Sequence, residues 1–258
     1  MKTLKIVKIG GNIIDNDVAL SSFLEAFAAI ESPKILIHGG GKLATQLANQ
    51  LGLEVKMIDG RRITDQATLD LITMVYAGKI NKTIVAQLQS KKCNAIGFSG
   101  ADGNTIISKK RPIKPIDFGF VGDVKKVNTK TLQVLLEHNV TPVFCALTHD
   151  QNGQLLNTNA DTIASELAIG FADHYQTELY YCFEKNGVLK DRNDENSVIK
   201  QITTTSYQNL IDTKIIVDGM LPKLNNCIHA IEKNVHKVCI GKPEMLFDTT
   251  ANFTTITK

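Results

Sequence analysis

Short apolar runs rich in β-branched residues alternate along this chain with longer stretches of helical spacing, and that alternation restricts the fold more than any other feature. The runs fall at residues 4–9, 34–38, 94–98, 142–147, 179–183 and 237–240. Each has the length of a strand buried on both faces. Helical spacing marks residues 17–30, 42–51, 66–77, 81–88, 131–137, 161–170, 206–211 and 224–233. The order predicts an α/β fold, a central mainly parallel sheet covered by helices on both faces. Two places interrupt it. Residues 55–64 read as a hairpin about Asp59-Gly60, and residues 119–127 as another with a turn at Gly122-Asp123. Asn152-Gly153 is a third turn signal. Small hairpins of this kind predict a lid or substrate-facing layer over the sheet.

Length and charge narrow the class. With 258 residues and no Pro/Ser-rich linker, the chain reads as one domain, 1–258, with an N-terminal lobe over 1–150 and a C-terminal lobe over 151–258. No segment holds the roughly 18 consecutive apolar residues that cross a bilayer. Lys8 inside the first apolar stretch and Gly10-Gly11 after it do not make a secretory signal, so the expected location is the cytoplasm. A net charge of +3 is too small to demand a nucleic acid or membrane partner. The five cysteines are widely spaced in apolar runs, and the six histidines show no ligand spacing, so neither disulfides nor a protein-held metal is expected.

Two glycine clusters stand at predicted strand ends: Lys8-Ile9-Gly10-Gly11-Asn12 and His38-Gly39-Gly40-Gly41-Lys42. Open α/β sheets bind ligands there, and glycine lets backbone N–H groups approach an anion. The Walker pattern fails, because Leu36 stands where its first glycine belongs and Leu43 where its Ser/Thr belongs. The dinucleotide fingerprint fails at Ala44. A hydrolase reading competes: His38-Gly39-Gly40-Gly41 matches an oxyanion-hole motif and Gly97-Phe98-Ser99-Gly100-Ala101 approximates a nucleophile elbow, with Asp218 and His229 or His236 as partners. That reading leaves the first glycine cluster without a task.

In the second half, Asn157-Thr158-Asn159-Ala160-Asp161 directly precedes a helix, with Asn159 or Asp161 as its cap. Asp218-Gly219-Met220-Leu221-Pro222-Lys223 opens the last long helix, with Asp218 as cap and Pro222 in the first turn.

Together with Arg62-Ile63-Thr64, these segments resemble, in order and spacing, the motif set of the amino acid kinase family. The resemblance runs from about Leu4 to near the C-terminus. It implies a three-layer αβα sandwich of the carbamate kinase type, with hairpins over the substrate site. The N-terminal lobe would bind an acylated amino acid and form dimer contacts, and the C-terminal lobe would bind ATP. The implied reaction moves the γ-phosphoryl group of ATP to the side-chain carboxylate of an N-acylated glutamate, an early step of arginine biosynthesis. Acetyl is the default acyl group and succinyl the alternative. Lys8 and Lys223 would approach the phosphoryl group from two sides, with Asp161 orienting both. Gly10, Gly11, Gly40 and Gly41 would present backbone N–H groups to the phosphoryl oxygens, with Gly40 and Gly41 also on the acceptor side. Arg62 would grip the α-carboxylate and Asn157 the same group or the acyl amide, while Asn159 would support the γ-phosphate. Arg61, beside Arg62, should face the other way. Mg²⁺ would arrive on the nucleotide, with no protein-held metal.

One departure touches the nucleotide end. Where the family carries a small residue and then Asp, this chain has Phe183-Glu184-Lys185-Asn186-Gly187-Val188-Leu189. Glu184 would replace the aspartate, with Gly187, Val188, Leu189 and Ile216 completing the nucleotide contacts. Lys109-Lys110-Arg111 reads as a solvated loop that could also meet a dianionic acyl group. Because the first motif lysine is residue 8, no space remains for an extra N-terminal helix, and the expectation is a homodimer without feedback by arginine. Kinases of free glutamate, aspartate or carbamate, and a catalytically silent nucleotide or amino-acid sensor, remain the alternative readings.

Overall fold

In a computed structural model of the chain, described here for every residue except Asp59, Arg192, 214–219 and Thr249, and omitting the side chain of Pro222, eight strands form the central sheet. Their spatial order is Gln201–Thr203, Thr254–Thr257, Lys237–Gly241, Gln176–Cys182, Thr3–Ile9, Lys34–His38, Thr141–Phe144 and Ala95–Phe98. Every neighbouring pair is parallel except Lys237–Gly241 with Thr254–Thr257. Residues Lys34–His38 are buried throughout, and so are Thr141–Phe144, as parallel strands between two helical layers must be. Helix Ala160–Phe171 packs on Thr3–Ile9 and Gln176–Cys182 and against helix Leu221–Glu232. Helix Asn81–Ser90 covers the Ala95–Phe98 and Thr141–Phe144 end and packs against Asp17–Ala28.

The predicted strand 142–147 breaks. The Thr141–Phe144 strand ends there, Leu147 donates back to the Cys145 carbonyl at 2.9 Å, and Leu147–His149 enters a second sheet. That sheet runs Leu155–Asn157, Leu147–His149, Ile106–Lys110, Gly122–Val127. Asn152-Gly153 turns between the first two, as the dipeptide predicts. The Gly122-Asp123 turn does not form: both residues lie in a strand antiparallel to Ile106–Lys110, because Phe120, Val121 and Val124 supply the apolar contacts that hold it. Lys109 and Lys110 are strand residues, not a loop, and Arg111 pairs with Asp123 at 2.6 Å. The hairpin Met57–Ile58 with Arg61–Arg62 forms, its Asp59 outside the described residues.

The helices predicted at 66–77 and 81–88 are one continuous rod. Gln66–Ile72 is α-helical, Thr73–Ile80 is π-helical, and Asn81–Ser90 is α-helical again. The wider π turns put Tyr76, Ile80 and Asn81 against the second glycine cluster. All five cysteines are buried and unbridged.

Candidate active site

The carboxyl ends of four central strands lie level, since Ile9 is the register partner of both His38 and Cys182, and Cys182 of Gly241. Two of these ends leave the sheet through the glycine clusters. Gly10 caps Gly11–Ile14 and Gly40 caps Gly41–Gln50, neither with a side chain, so first-turn N–H groups at both helices lack an intrahelical partner. Gly40 has φ +156°, and a Cβ there would collide with Ile80 and lie 2.9 Å from the Tyr76 ring. Lys42 Nζ donates to Asn12 Oδ1, tying one loop to the other. A cavity of about 300 Å³ opens here, lined by both glycine loops, Phe183 and Glu184.

One face of the sheet carries the charges. Lys8 Nζ lies 2.7 Å from Asp161 Oδ1, and Lys223 Nζ lies 3.7 Å from Asp161 Oδ2. Burial opposes the charge on Asp161, but the two ammonium groups outweigh it and hold the carboxyl below its usual range. Asp161 reaches this position because it opens helix Ala160–Phe171. Asn159 caps that helix, its Oδ1 accepting from the N–H of Asp161 at 2.7 Å and of Thr162 at 3.3 Å. The Asn159 amide oxygen is therefore engaged, and its NH₂ group is what remains for a ligand. Tyr181, fully buried, donates its hydroxyl to the Asp161 carbonyl at 2.8 Å.

Arg62 is buried and Arg61 exposed, as strand alternation predicts. Arg62 Nη2 donates to the Gly41 carbonyl at 3.0 Å and to Thr45 Oγ1 at 2.8 Å, while Nη1 is buried with no hydrogen-bond partner among the described residues. Asn157 Nδ2 donates to Thr64 Oγ1 at 2.9 Å. The Phe118-Gly119-Phe120 segment is laced to Thr64 through Thr64 N–H to the Phe118 carbonyl and Phe120 N–H to the Thr64 carbonyl. Arg62, Thr64, Asn157 and this segment thus form one unit beside Gly41.

His38 lies beneath the second glycine loop with no exposed surface. Its Nδ1 pairs with the Gly39 carbonyl at 2.8 Å, and Asn81 Nδ2 donates to its Nε2 at 3.1 Å and to the Val143 carbonyl at 2.9 Å. Burial, partly offset by the Gly39 hydrogen bond, pushes the imidazole down to about 4. Both ring nitrogens are thus engaged in the neutral form. The hydrolase reading finds no support: Ser99 Oγ donates to Asp102 at 2.7 Å, and no histidine is among its partners in the described residues.

At the nucleotide end, Glu184 borders the cavity. Gly187, Val188 and Leu189 sit deeper than the motif suggests. The Val188 N–H donates to Thr254 Oγ1 at 2.8 Å, a Cβ on Gly187 would lie 2.6 Å from the same oxygen, and Leu189 bridges to Val198. Ile216 and Asp218 lie outside the described residues, and helix Leu221–Glu232 is capped by Met220. Asn12, Lys42, Asn81 and Tyr181 escape the sequence reading. Their signal is position alone: Asn12 and Lys42 each follow a glycine cluster, and Asn81 is a polar residue on a buried helix face.

Two cations flanking one committed carboxylate, beside open backbone donors, suit the transfer of a phosphoryl group rather than of a proton. The sequence pattern of the amino acid kinase family matches residues 3–242, and the chain belongs to that family. The chain is 54% identical over 249 residues to the acetylglutamate kinase of Cytophaga hutchinsonii, covering 96% of this chain and 94% of that one. It is 52% identical to the acetylglutamate kinase of Phocaeicola vulgatus, with 92% of each chain covered. Carbamate kinase from Giardia lamblia bound to AMP-PNP shares the fold, with a TM-score of 0.72 at 14% identity over all of this chain and 98% of that one.

Proposed function

We propose that this chain transfers the γ-phosphoryl group of ATP to the side-chain carboxylate of N-acetyl-L-glutamate, giving the 5-acyl phosphate and ADP. The observation that carries this reading is the Lys8–Asp161–Lys223 cluster on the face beside the two glycine loops. Support for the acceptor comes from the relatives named acetylglutamate kinase.

The chemistry asks little beyond charge and alignment. The acceptor carboxylate is already ionised near neutral pH, so no general base is needed. Donor and acceptor are both anionic, and Lys8 and Lys223 offset their repulsion as charge builds on the transferring group. Asp161 keeps the lysines apart and aimed. The N–H groups after Gly10 and Gly40 hold the phosphoryl oxygens. Arg62, with Nη1 open, grips the α-carboxylate, and Asn157 the acyl amide. Asp161 is committed to the two lysines, and Mg²⁺ would arrive on the nucleotide, held by its phosphates and water. Residues 1–150 form the lobe that holds most of the acyl amino acid and 151–258 the lobe that holds most of the nucleotide, with Asn157 and the glycine loops reaching across the boundary. The enzyme works as a homodimer in the cytoplasm, which light scattering and fractionation test. Among the described residues no helix is long and apolar enough to cross a membrane.

The decisive experiment is ATP- and Mg²⁺-dependent acyl phosphate formation, trapped with hydroxylamine, on N-acetylglutamate, N-succinylglutamate, glutamate and aspartate in parallel. Turnover of N-acetylglutamate alone is the expected result. Turnover of N-succinylglutamate alone would reassign the acyl group, and ATP binding without turnover would replace the kinase by a sensor.

A further inference from the structure

Lys8 and Lys223 are not held alike. Lys8 makes a close ion pair with Asp161 at 2.7 Å, whereas Lys223 stands 3.7 Å from the other carboxylate oxygen. What surrounds Lys223 instead is aromatic: its Nζ lies 4.9 Å from the centre of the Phe183 ring and 5.9 Å from that of Tyr181. Both distances fall within the reach of a cation–π interaction.

The pairing follows from strand geometry. The Phe183 N–H donates to the Gly241 carbonyl at 3.0 Å, extending the Gln176–Cys182 ladder by one residue. Residues two apart on such a strand share a face, so Tyr181 and Phe183 stand side by side beneath the start of helix Leu221–Glu232, where Lys223 projects. The Tyr181 ring is fixed by its hydroxyl bond to the Asp161 carbonyl. Phe183 has no polar anchor; it borders the cavity with Glu184 and the glycine loops.

We propose that Phe183 is a positioning residue for phosphoryl transfer, forming with Tyr181 a two-ring cradle that holds the Lys223 ammonium at the reaction centre. An aromatic face attracts the charge without accepting a directed hydrogen bond, so the N–H donors of Lys223 stay available for phosphoryl oxygens. A second carboxylate in that place would occupy those donors and add a negative charge facing ATP. In the step itself the bond from the γ-phosphorus to the ADP oxygen breaks, its electron pair leaving on ADP, and one from an acceptor carboxylate oxygen to that phosphorus forms. This deepens the proposed function and rests on it.

The test replaces Phe183 by mono-, di- and trifluorophenylalanine, which weaken the ring's attraction for a cation stepwise while preserving its shape. The unsubstituted enzyme's own turnover decides the parent reading first, and the series is run on whichever acceptor it phosphorylates. The proposal expects log kcat to fall in step with fluorine number, by about tenfold at three fluorines, while KM for the acceptor holds. F183Y should keep most of the rate and F183L should lose it. A flat kcat across the series overturns the proposal. So does a series in which only KM for ATP moves, which would make the ring a nucleotide contact.

Discussion

Lys8 and Tyr181 are register partners on adjacent parallel strands, and their side chains leave the sheet on the same face, toward helix Ala160–Phe171. The lysine meets the Asp161 carboxylate and the tyrosine meets the Asp161 carbonyl, so one residue of the helix is held at both its side chain and its backbone. The helix N-terminus cannot shift without breaking both contacts. We predict that Lys8→Ala and Lys223→Ala each lower kcat by about 10²–10³-fold, the scale of losing one donor to a developing charge. KM for either substrate should change far less. Steady-state kinetics on both variants checks this, and an intact kcat in Lys223→Ala would remove that lysine from the reaction centre.

Arg62 leads to the opposite split. Its Nη2 is spent on Gly41 and Thr45 and its Nη1 has no hydrogen-bond partner among the described residues, so the proposed function gives it a ground-state grip on the acceptor. Arg62→Ala is expected to raise KM for the acylated amino acid by about 30–100-fold, the worth of a charge-assisted hydrogen bond. KM for ATP should hold. A kcat loss as large as that of Lys8→Ala would place Arg62 at the phosphoryl group instead.

His38 gives the fold an acid sensitivity. Its folded value is about 4 against an ordinary 6.5, so between those two pH values the unfolded chain binds the proton and the folded one does not. Stability from the neutral, buried ring is complete above pH 6.5 and is lost as pH falls through that window, by about 3 kcal/mol at most. Denaturant titrations at pH 7.5 and 4.5, on the parent and on His38→Gln, should show the slope shrinking in the variant. An equal slope in both would mean that other groups carry the acid response.

Gly119 has φ +71°, and a Cβ there would run into the Thr64 carbonyl. Gly119→Ala should therefore cost about 2 kcal/mol or more, lowering Tm by about 4–8 °C. Because Thr64 receives the Asn157 amide, KM for the acceptor should rise as well. Differential scanning fluorimetry alongside kinetics separates the two effects, and a variant with unchanged Tm would show that the segment relaxes freely.

The central strands were legible because parallel strands buried on both faces leave unbroken apolar runs, and Lys34–His38 falls where its pattern predicts. Two short strands at one end of the sheet were not. Gln201–Thr203, at the edge, and Thr254–Thr257, between it and Lys237–Gly241, are only three and four residues long, with little periodicity to distinguish them from loops. Ile106–Lys110 hid because its last two residues, Lys109 and Lys110, are exposed and break the apolar pattern. In the site, Lys8, Arg62, Asp161 and Lys223 could be named because each falls in a segment that resembles a motif of the amino acid kinase family, next to a glycine, a turn or a helix start. The aromatic neighbours of Lys223 could not, since Tyr181 and Phe183 read as one more apolar strand until the last helix is laid across them.

The π-helical stretch Thr73–Ile80 fixes the phase between the two α-helical ends of its rod. Deleting a single residue there would turn everything downstream by about 100°. The rod could persist as a continuous helix, yet Asn81 would swing off His38, and the Tyr76 and Ile80 contacts at Gly40 would no longer coincide with it. Spacing along this one helix therefore acts as a vernier for the glycine loop: a change in residue count, with no change in side-chain chemistry, is enough to misalign it.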